Sequence, residues 1–233
     1  MSYEPKVHDA QMTILRELLF VEELNFGKLR QATQLDSDAF NFHLKQLVEN
    51  DFVDKQGPGR YSLTKQGKTY ANQMDTDDVV FEKQPKLSVV LIIEDDNGEQ
   101  LFQERLKQPY YGYWGHPTGK IRWGETMLQT AERELEEETG LVADLKVVGL
   151  FHKLDYDDTT KELREDKYFC IIHGTNPRGE LRDSEGCHNE WLSIDRFMQK
   201  EKRFGNPEQT EKIIRDKHPT IVETHDYYEE AHY

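Results

Sequence analysis

The chain has 233 residues with a formal net charge of −15, 36% hydrophobic and 32% charged residues. It is long enough for two small domains and contains no apolar run of the roughly 18 to 20 residues that crossing a bilayer needs. The two cysteines, Cys170 and Cys187, exclude a disulfide framework or a cysteine metal quartet. The beginning, MSYEPKVHDA, has neither the basic start nor the apolar stretch of a signal peptide, so cytoplasm is the expected location. Residues 1–75 hold nine Lys/Arg and eleven Asp/Glu, and the rest hold twenty-one and thirty-four. The acidic surplus therefore sits in the second part, where it suits a protein that holds divalent cations, and it repels nucleic acid at long range.

In chain order, Ile14, Leu15, Leu18 and Leu19 recur at helical spacing and predict a first helix. FGKLRQATQL predicts a short second helix ending near Leu35. In a third, Phe40, Leu44 and Leu47 fall at i, i+4 and i+7, with Asp36 or Ser37 placed to cap its start. Two strand-like runs then flank Gly57-Pro58-Gly59, and KQGKTYANQM predicts one more helix. This order resembles a winged helix-turn-helix of the ArsR and MarR style over residues 1–75. The resemblance implies that Asp38, Asn41, His43 and Lys45 face a major groove, with Arg60 and Lys65 near phosphates. A single lysine in the third helix and the lack of a basic excess leave dimerisation or protein docking as the alternative role.

Residues 76–85 read as a polar, acidic linker. Beyond them the pattern becomes alternating and apolar. LSVVLIIED and EQLFQERL flank Asp96-Asn97-Gly98, which predicts a hairpin. DLKVVGLFHKL, KYFCIIHGT and EWLSI are further strand candidates. Residues 205–233 predict a helix around EQTEKIIRD, followed by an acidic, Tyr-rich tail that is either disordered or a docking strip.

The informative segment is GKIRWGETMLQTAERELEEETGL, residues 119–141. Thr126 and Gln129 form a capping-box pattern, Leu128, Ala131 and Leu135 form an apolar stripe, and Gly140 ends the helix. On its other side Glu134, Glu136, Glu137 and Glu138 crowd the C-terminal end, where they oppose the helix dipole and one another. A divalent cation removes that repulsion and turns the cluster into a set of hard oxygen ligands.

The spacing from Gly119 through Glu125, Arg133-Glu134-Leu135 and Glu137-Glu138 to Gly140-Leu141 resembles the Nudix signature at every defined position. The resemblance covers roughly residues 86–200, in a domain read as 86–204, and implies an α+β chain: a Nudix α/β/α sandwich on a mixed sheet, preceded by the small winged-helix domain. It implies Mg²⁺ or Mn²⁺ held by Glu137, Glu138 and the Gly119 carbonyl. Glu134 would orient or deprotonate the attacking water, and Arg133 and Glu125 would tie loop to helix. A late-loop glutamate, Glu185 or Glu190, would assist as base or ligand. The triplet before the helix is Pro117-Thr118-Gly119, where the family commonly has Pro-Gly-Gly. Arg105, Tyr111 and Trp114 are substrate-binding candidates, and Tyr110 and Tyr113 share their aromatic character. His116 reads as a hydrogen-bonding loop histidine. The expected partner is a nucleoside diphosphate derivative, with DNA or a second copy of the chain for the winged helix. The expected function is pyrophosphohydrolysis. The alternative is a transcription regulator that senses a nucleotide metabolite.

Overall fold

The computed structural model describes residues 8–77, 79–81, 83–205, 212–214 and 220–228. By its internal packing the chain divides into two units, residues 1–83 and 84–233.

In the first unit, α1 (Asp9–Leu19), α2 (Phe26–Thr33) and α3 (Ser37–Glu49) surround one apolar core. Ile14, Leu15 and Leu18 meet Leu29, Phe40, Leu44 and Leu47 there, so the helical spacing of these residues is the spacing of the buried face. Leu19 is only partly buried against it. Asp36 caps α3, accepting from the Asp38 and Ala39 amides at 3.0 and 2.9 Å. Three strands, β1 (Leu24–Asn25), β2 (Val53–Gly57) and β3 (Arg60–Leu63), pair in the order β1-β3-β2. They are followed by α4 (Lys65–Ala71) and a two-stranded pairing of β4 (Met74–Asp75) with β5 (Val80–Phe81).

The second unit contains β6 (Lys86–Ile93), β7 (Gln100–Arg105), β8 (Trp114–Gly115), β9 (Thr118–Lys120) and α5 (Met127–Thr139). After these come β10 (Leu141–Asp157), β11 (Leu163–Gly179), β12 (Cys187–Leu192), α6 (Ile194–Met198) and β13 (Thr220–Tyr228). Five strands form a mixed sheet in the order β13-β10-β11-β6-β9, and three form an antiparallel sheet in the order β12-β7-β8. Val89, Leu91 and Ile93 project from one face of β6 onto Ala131 and Leu135 of α5. Val90 and Ile92 project from the other face and meet Ile171 and Ile213. Both faces of β6 are therefore buried from Val89 to Ile93, as the unbroken apolar run VVLII requires.

Three expectations need correction. Asp96-Asn97-Gly98 does turn the chain, with Gly98 at φ 77°, but β6 and β7 enter different sheets and share only the Glu94–Gln100 bridge. The side chains of β6 serve the mixed sheet, so a hairpin turn does not oblige its flanks to pair. Leu128 is exposed rather than part of the buried stripe, because α5 buries Thr130, Ala131, Leu135 and Thr139. Residues 220–228 form β13 and pair in parallel with β10 from Gly149–Thr220 to Asp157–Tyr228, so the first four residues of the expected tail HDYYEEAHY lie in a sheet and the others lie outside the described residues. Of the helix expected around EQTEKIIRD, residues 212–214 are helical and the others lie outside the described residues.

Candidate active site

Helix α5 begins and ends as its sequence dictates. Thr126 accepts from the Gln129 amide at 3.2 Å, and the Gln129 side chain accepts from the Thr126 amide at 2.9 Å. Gly140 closes the helix at φ 76°. Leu135 is fully buried, and truncating such a residue to alanine costs about 2–5 kcal/mol. That burial holds the helix against the sheet and turns its acidic edge outward.

Arg133 organises the edge. Its Nε donates to Glu125 Oε1 and its Nη2 to Glu125 Oε2, both at 2.8 Å, a two-pronged pairing. Nη2 also donates to the Lys120 carbonyl at 3.2 Å, and Nη1 to Glu134 Oε1 at 2.6 Å. Thr130 and the Arg122 amide add donors to Glu125 at 2.8 and 3.2 Å. The hydrogen bond from Arg133 is the largest cause that holds the Glu125 carboxyl down at about 2, and Glu125 in turn raises the Arg133 guanidinium. The loop before α5 is thereby fastened to the middle of the helix.

Gly119 pairs with Val89 in β6 and faces Glu134 so closely that a Cβ would fall 1.9 Å from Glu134 Cγ. Glycine is required here by contact, and Thr118 is accommodated one residue earlier as an exposed strand residue. Glu137, half exposed, is within reach of Arg122 at 3.4 Å and Arg133 at 3.3 Å. Glu138 accepts from Ser184 Oγ at 3.0 Å and from Cys187 Sγ at 2.9 Å. Among the described residues, no three carboxylate, His or Cys side chains are already gathered as a metal site. The donor set nonetheless fits a hard divalent cation: three carboxylates on one helix edge, beside a glycine carbonyl, each now held by protein donors that an ion could displace.

Ser184 and Cys187 were not anticipated from sequence. They lie on the loop and strand after β11, and only the fold brings them to Glu138. Burial, followed by the Glu138 carboxylate, pushes the Cys187 thiol up to about 11, so it stays protonated and donates. Asn189 ties the same region together by donating to the Glu138 and Arg182 carbonyls at 2.8 and 2.7 Å.

A cavity of about 1170 Å³ opens beside this edge and is lined by Gly119, Glu134, Glu138, Cys187 and Arg105 among others. Arg105 donates to the Pro109 and Gln108 carbonyls, which fixes its guanidinium at the wall. Tyr110 and Tyr113 also line it, whereas Tyr111 and Trp114 do not. Trp114 is buried with the Lys200 ammonium 3.6 Å from its ring centre, so its face is already covered. His116 lines the cavity half-buried, stacked on Phe102 and bonded to Gln100 at 3.0 Å. Burial lowers its pKa to about 4, which keeps it neutral. Of the late-loop glutamates, Glu185 is exposed beside Ser184. Glu190 faces away from Cys187 on alternate sides of β12 and pairs with Arg196 at 2.6 Å and Lys200 at 3.3 Å.

In the first unit, Asp38, Asn41, Lys45, Arg60 and Lys65 are exposed. Lys45 pairs with Glu49 at 3.5 Å, Arg60 is bound to Glu23, and His43 is partly buried in a stack with His8 at 4.5 Å.

A family model described as the NUDIX domain matches residues 84–213, more than half of the chain. A second, described as a domain of unknown function (DUF7347), matches residues 6–74. An oxidized purine nucleoside triphosphate hydrolase of Danio rerio is 32% identical over 112 residues, 48% of this chain and 67% of that protein. An ADP-ribose pyrophosphatase of Methanocaldococcus jannaschii is 36% identical over 74 residues, 31% of this chain and 43% of the relative. The chain thus spans less than half of the archaeal protein. A crystal structure of a MutT protein from Bacillus halodurans superposes with a TM-score of 0.51 at 22% identity, covering 64% of this chain and 93% of that one, which is a likeness of fold. With the signature helix, its glycine and the sheet that carries them in place, the chain belongs to the Nudix hydrolase family.

Proposed function

We propose that the second unit hydrolyses the diphosphate bond of a nucleoside diphosphate joined to another group, with Mg²⁺ or Mn²⁺. The observation that carries this reading is the acidic edge of α5, where Glu134 and Glu138 line the cavity beside Gly119. Glu137, Glu138 and the Gly119 carbonyl would hold the ion. Bound there, a divalent cation supplies neutralisation of phosphate charge and a more acidic attacking water. Glu134, oriented by its hydrogen bond from Arg133, would align that water or take its proton. Arg105 is placed at the wall to meet a phosphate oxygen. Exposure beside Ser184 favours Glu185 over Glu190 as the assisting late-loop carboxylate, since Glu190 is engaged by Arg196 and Lys200. The test is a phosphatase-coupled phosphate-release screen over nucleoside diphosphate derivatives and nucleoside triphosphates with each cation. Metal-dependent turnover of one class supports the reading, and a flat panel with intact cation binding favours a sensor.

For the first unit, the order of helices and the β1-β3-β2 sheet support a winged-helix reading. The ion pairs at Lys45 and Arg60 and the half-buried His43 favour a docking or dimerising role over DNA contact. Weak or salt-insensitive binding to duplex DNA is the result expected of that role.

A further inference from the structure

The cavity runs from the acidic helix edge onto the face of the mixed sheet that α5 does not cover. Strand register lays that face out in rows. Phe151 stands opposite Phe169, which stands opposite Ser88. One step further along the strands, Lys153 stands opposite Lys167, and Lys167 opposite Lys86. All six residues line the cavity. Like charges set directly across strands destabilise a sheet, and here three lysines occupy consecutive strands. Two carboxylates are interleaved with them. Lys153 and Lys167 both bind Asp155, Lys167 at 3.1 Å, and Lys167 and Lys86 both bind Glu165, Lys86 at 2.8 Å. Asp155 is buried, as is most of Glu165, while Lys86 remains half exposed. A largely buried charge network of this kind adds little net stability over an apolar equivalent.

The row is also set apart from the acidic edge. Lys86 lies three residues along β6 from Val89, the partner of Gly119, which is roughly 10 Å at the rise of a strand. Lys167 and Lys153 lie one and two strands further over, each step about 4.8 Å. The aromatic pair Phe151 and Phe169, 6.1 Å apart, lies in the adjoining row.

We infer that the Lys86–Lys167–Lys153 row binds a second anionic group of the substrate, a phosphomonoester remote from the scissile diphosphate. A phosphomonoester brings about −1.5 to −2 charges and three acceptor oxygens to ammonium groups one strand apart. A carboxylate brings one charge and two oxygens. The body joining the two anionic ends then lies on Phe151 and Phe169. This assignment of the substrate's two ends rests on the diphosphate-hydrolase reading, and its test is therefore run without hydrolysis.

The full chain, in chelator and without divalent cations, is titrated calorimetrically with the 5′-monophosphates of adenosine, guanosine, cytidine and uridine. It is then titrated with the matching 2′,5′- and 3′,5′-bisphosphates. At least one bisphosphate binds about tenfold or more tightly than its monophosphate, the scale of a charge-assisted hydrogen bond. Lys86→Met and Lys167→Met each remove most of that advantage and leave monophosphate affinity in place. Lys86→Met, at the half-exposed end of the row, decides the matter if Lys167→Met fails to fold. No advantage in any pair, or an advantage that survives Lys86→Met, overturns the inference. A preserved advantage in a chain that hydrolyses nothing overturns the hydrolase reading alone.

Discussion

Gly119 and Glu134 are in such close apposition that any β-carbon at position 119 would overlap the glutamate side chain, 1.9 Å from its Cγ. The strand that offers a carbonyl and the helix that offers a carboxylate are therefore locked at a fixed separation. Gly119→Ala must push Glu134 off its position against Arg133. The expected result is a loss of about 1–3 kcal/mol of stability, as overpacking typically costs, with kcat falling more than KM changes. Chemical denaturation and steady-state kinetics on the same preparation check both.

The Arg133–Glu125 pairing predicts an acid-sensitive contribution to stability. The Glu125 carboxyl is held at about 2, below its ordinary 4.5, first by its hydrogen bond from Arg133. A depressed acid stabilises the folded state fully above its unfolded value and loses that contribution as pH falls through the folded one. Glu125→Gln should therefore lower Tm at pH 7, and the difference from the native chain should shrink between pH 4.5 and 2. A difference independent of pH would mean that the pairing does not favour the ionised carboxylate.

His116 gives a second window at higher pH. Burial holds it at about 4 against an ordinary 6.5, so the folded chain carries it neutral while the unfolded chain takes up a proton. Stability is complete above about pH 6.5 and declines as pH falls toward 4, by roughly 3 kcal/mol for the full shift. Comparing Tm of the native chain and His116→Gln from pH 8 to 4 isolates this slope. Parallel curves would contradict the assignment.

The legible parts of this molecule were the local ones. The capping pair Thr126 and Gln129, the terminating Gly140 and the core positions of α3 are set by neighbours within a turn or two, and spacing reveals them. The signature glutamates are legible for the same reason. What spacing could not show is register. Lys86, Lys153 and Lys167 are separated by 67 and 14 positions and become neighbours only through the pairings of β6, β10 and β11. Ser184 and Cys187 reach Glu138 by the same non-local route. Aromatic character likewise failed to distinguish Trp114, sealed under Lys200, from Tyr110 and Tyr113 on the cavity wall.

The central claim is that the carboxylates of α5 hold a cation and activate water at a diphosphate. Its most direct test is the turnover of a substrate from the screen by the native chain and by Glu134→Gln, Glu137→Gln and Glu138→Gln, each checked for an unchanged Tm. Loss of the water-activating group predicts a kcat about 10²- to 10⁴-fold lower for Glu134→Gln. Loss of a ligand predicts more than the roughly 10- to 100-fold that a partner behind a metal ligand costs, with raised cation requirement, for Glu137→Gln and Glu138→Gln. Near-native turnover in both of the latter would contradict the account.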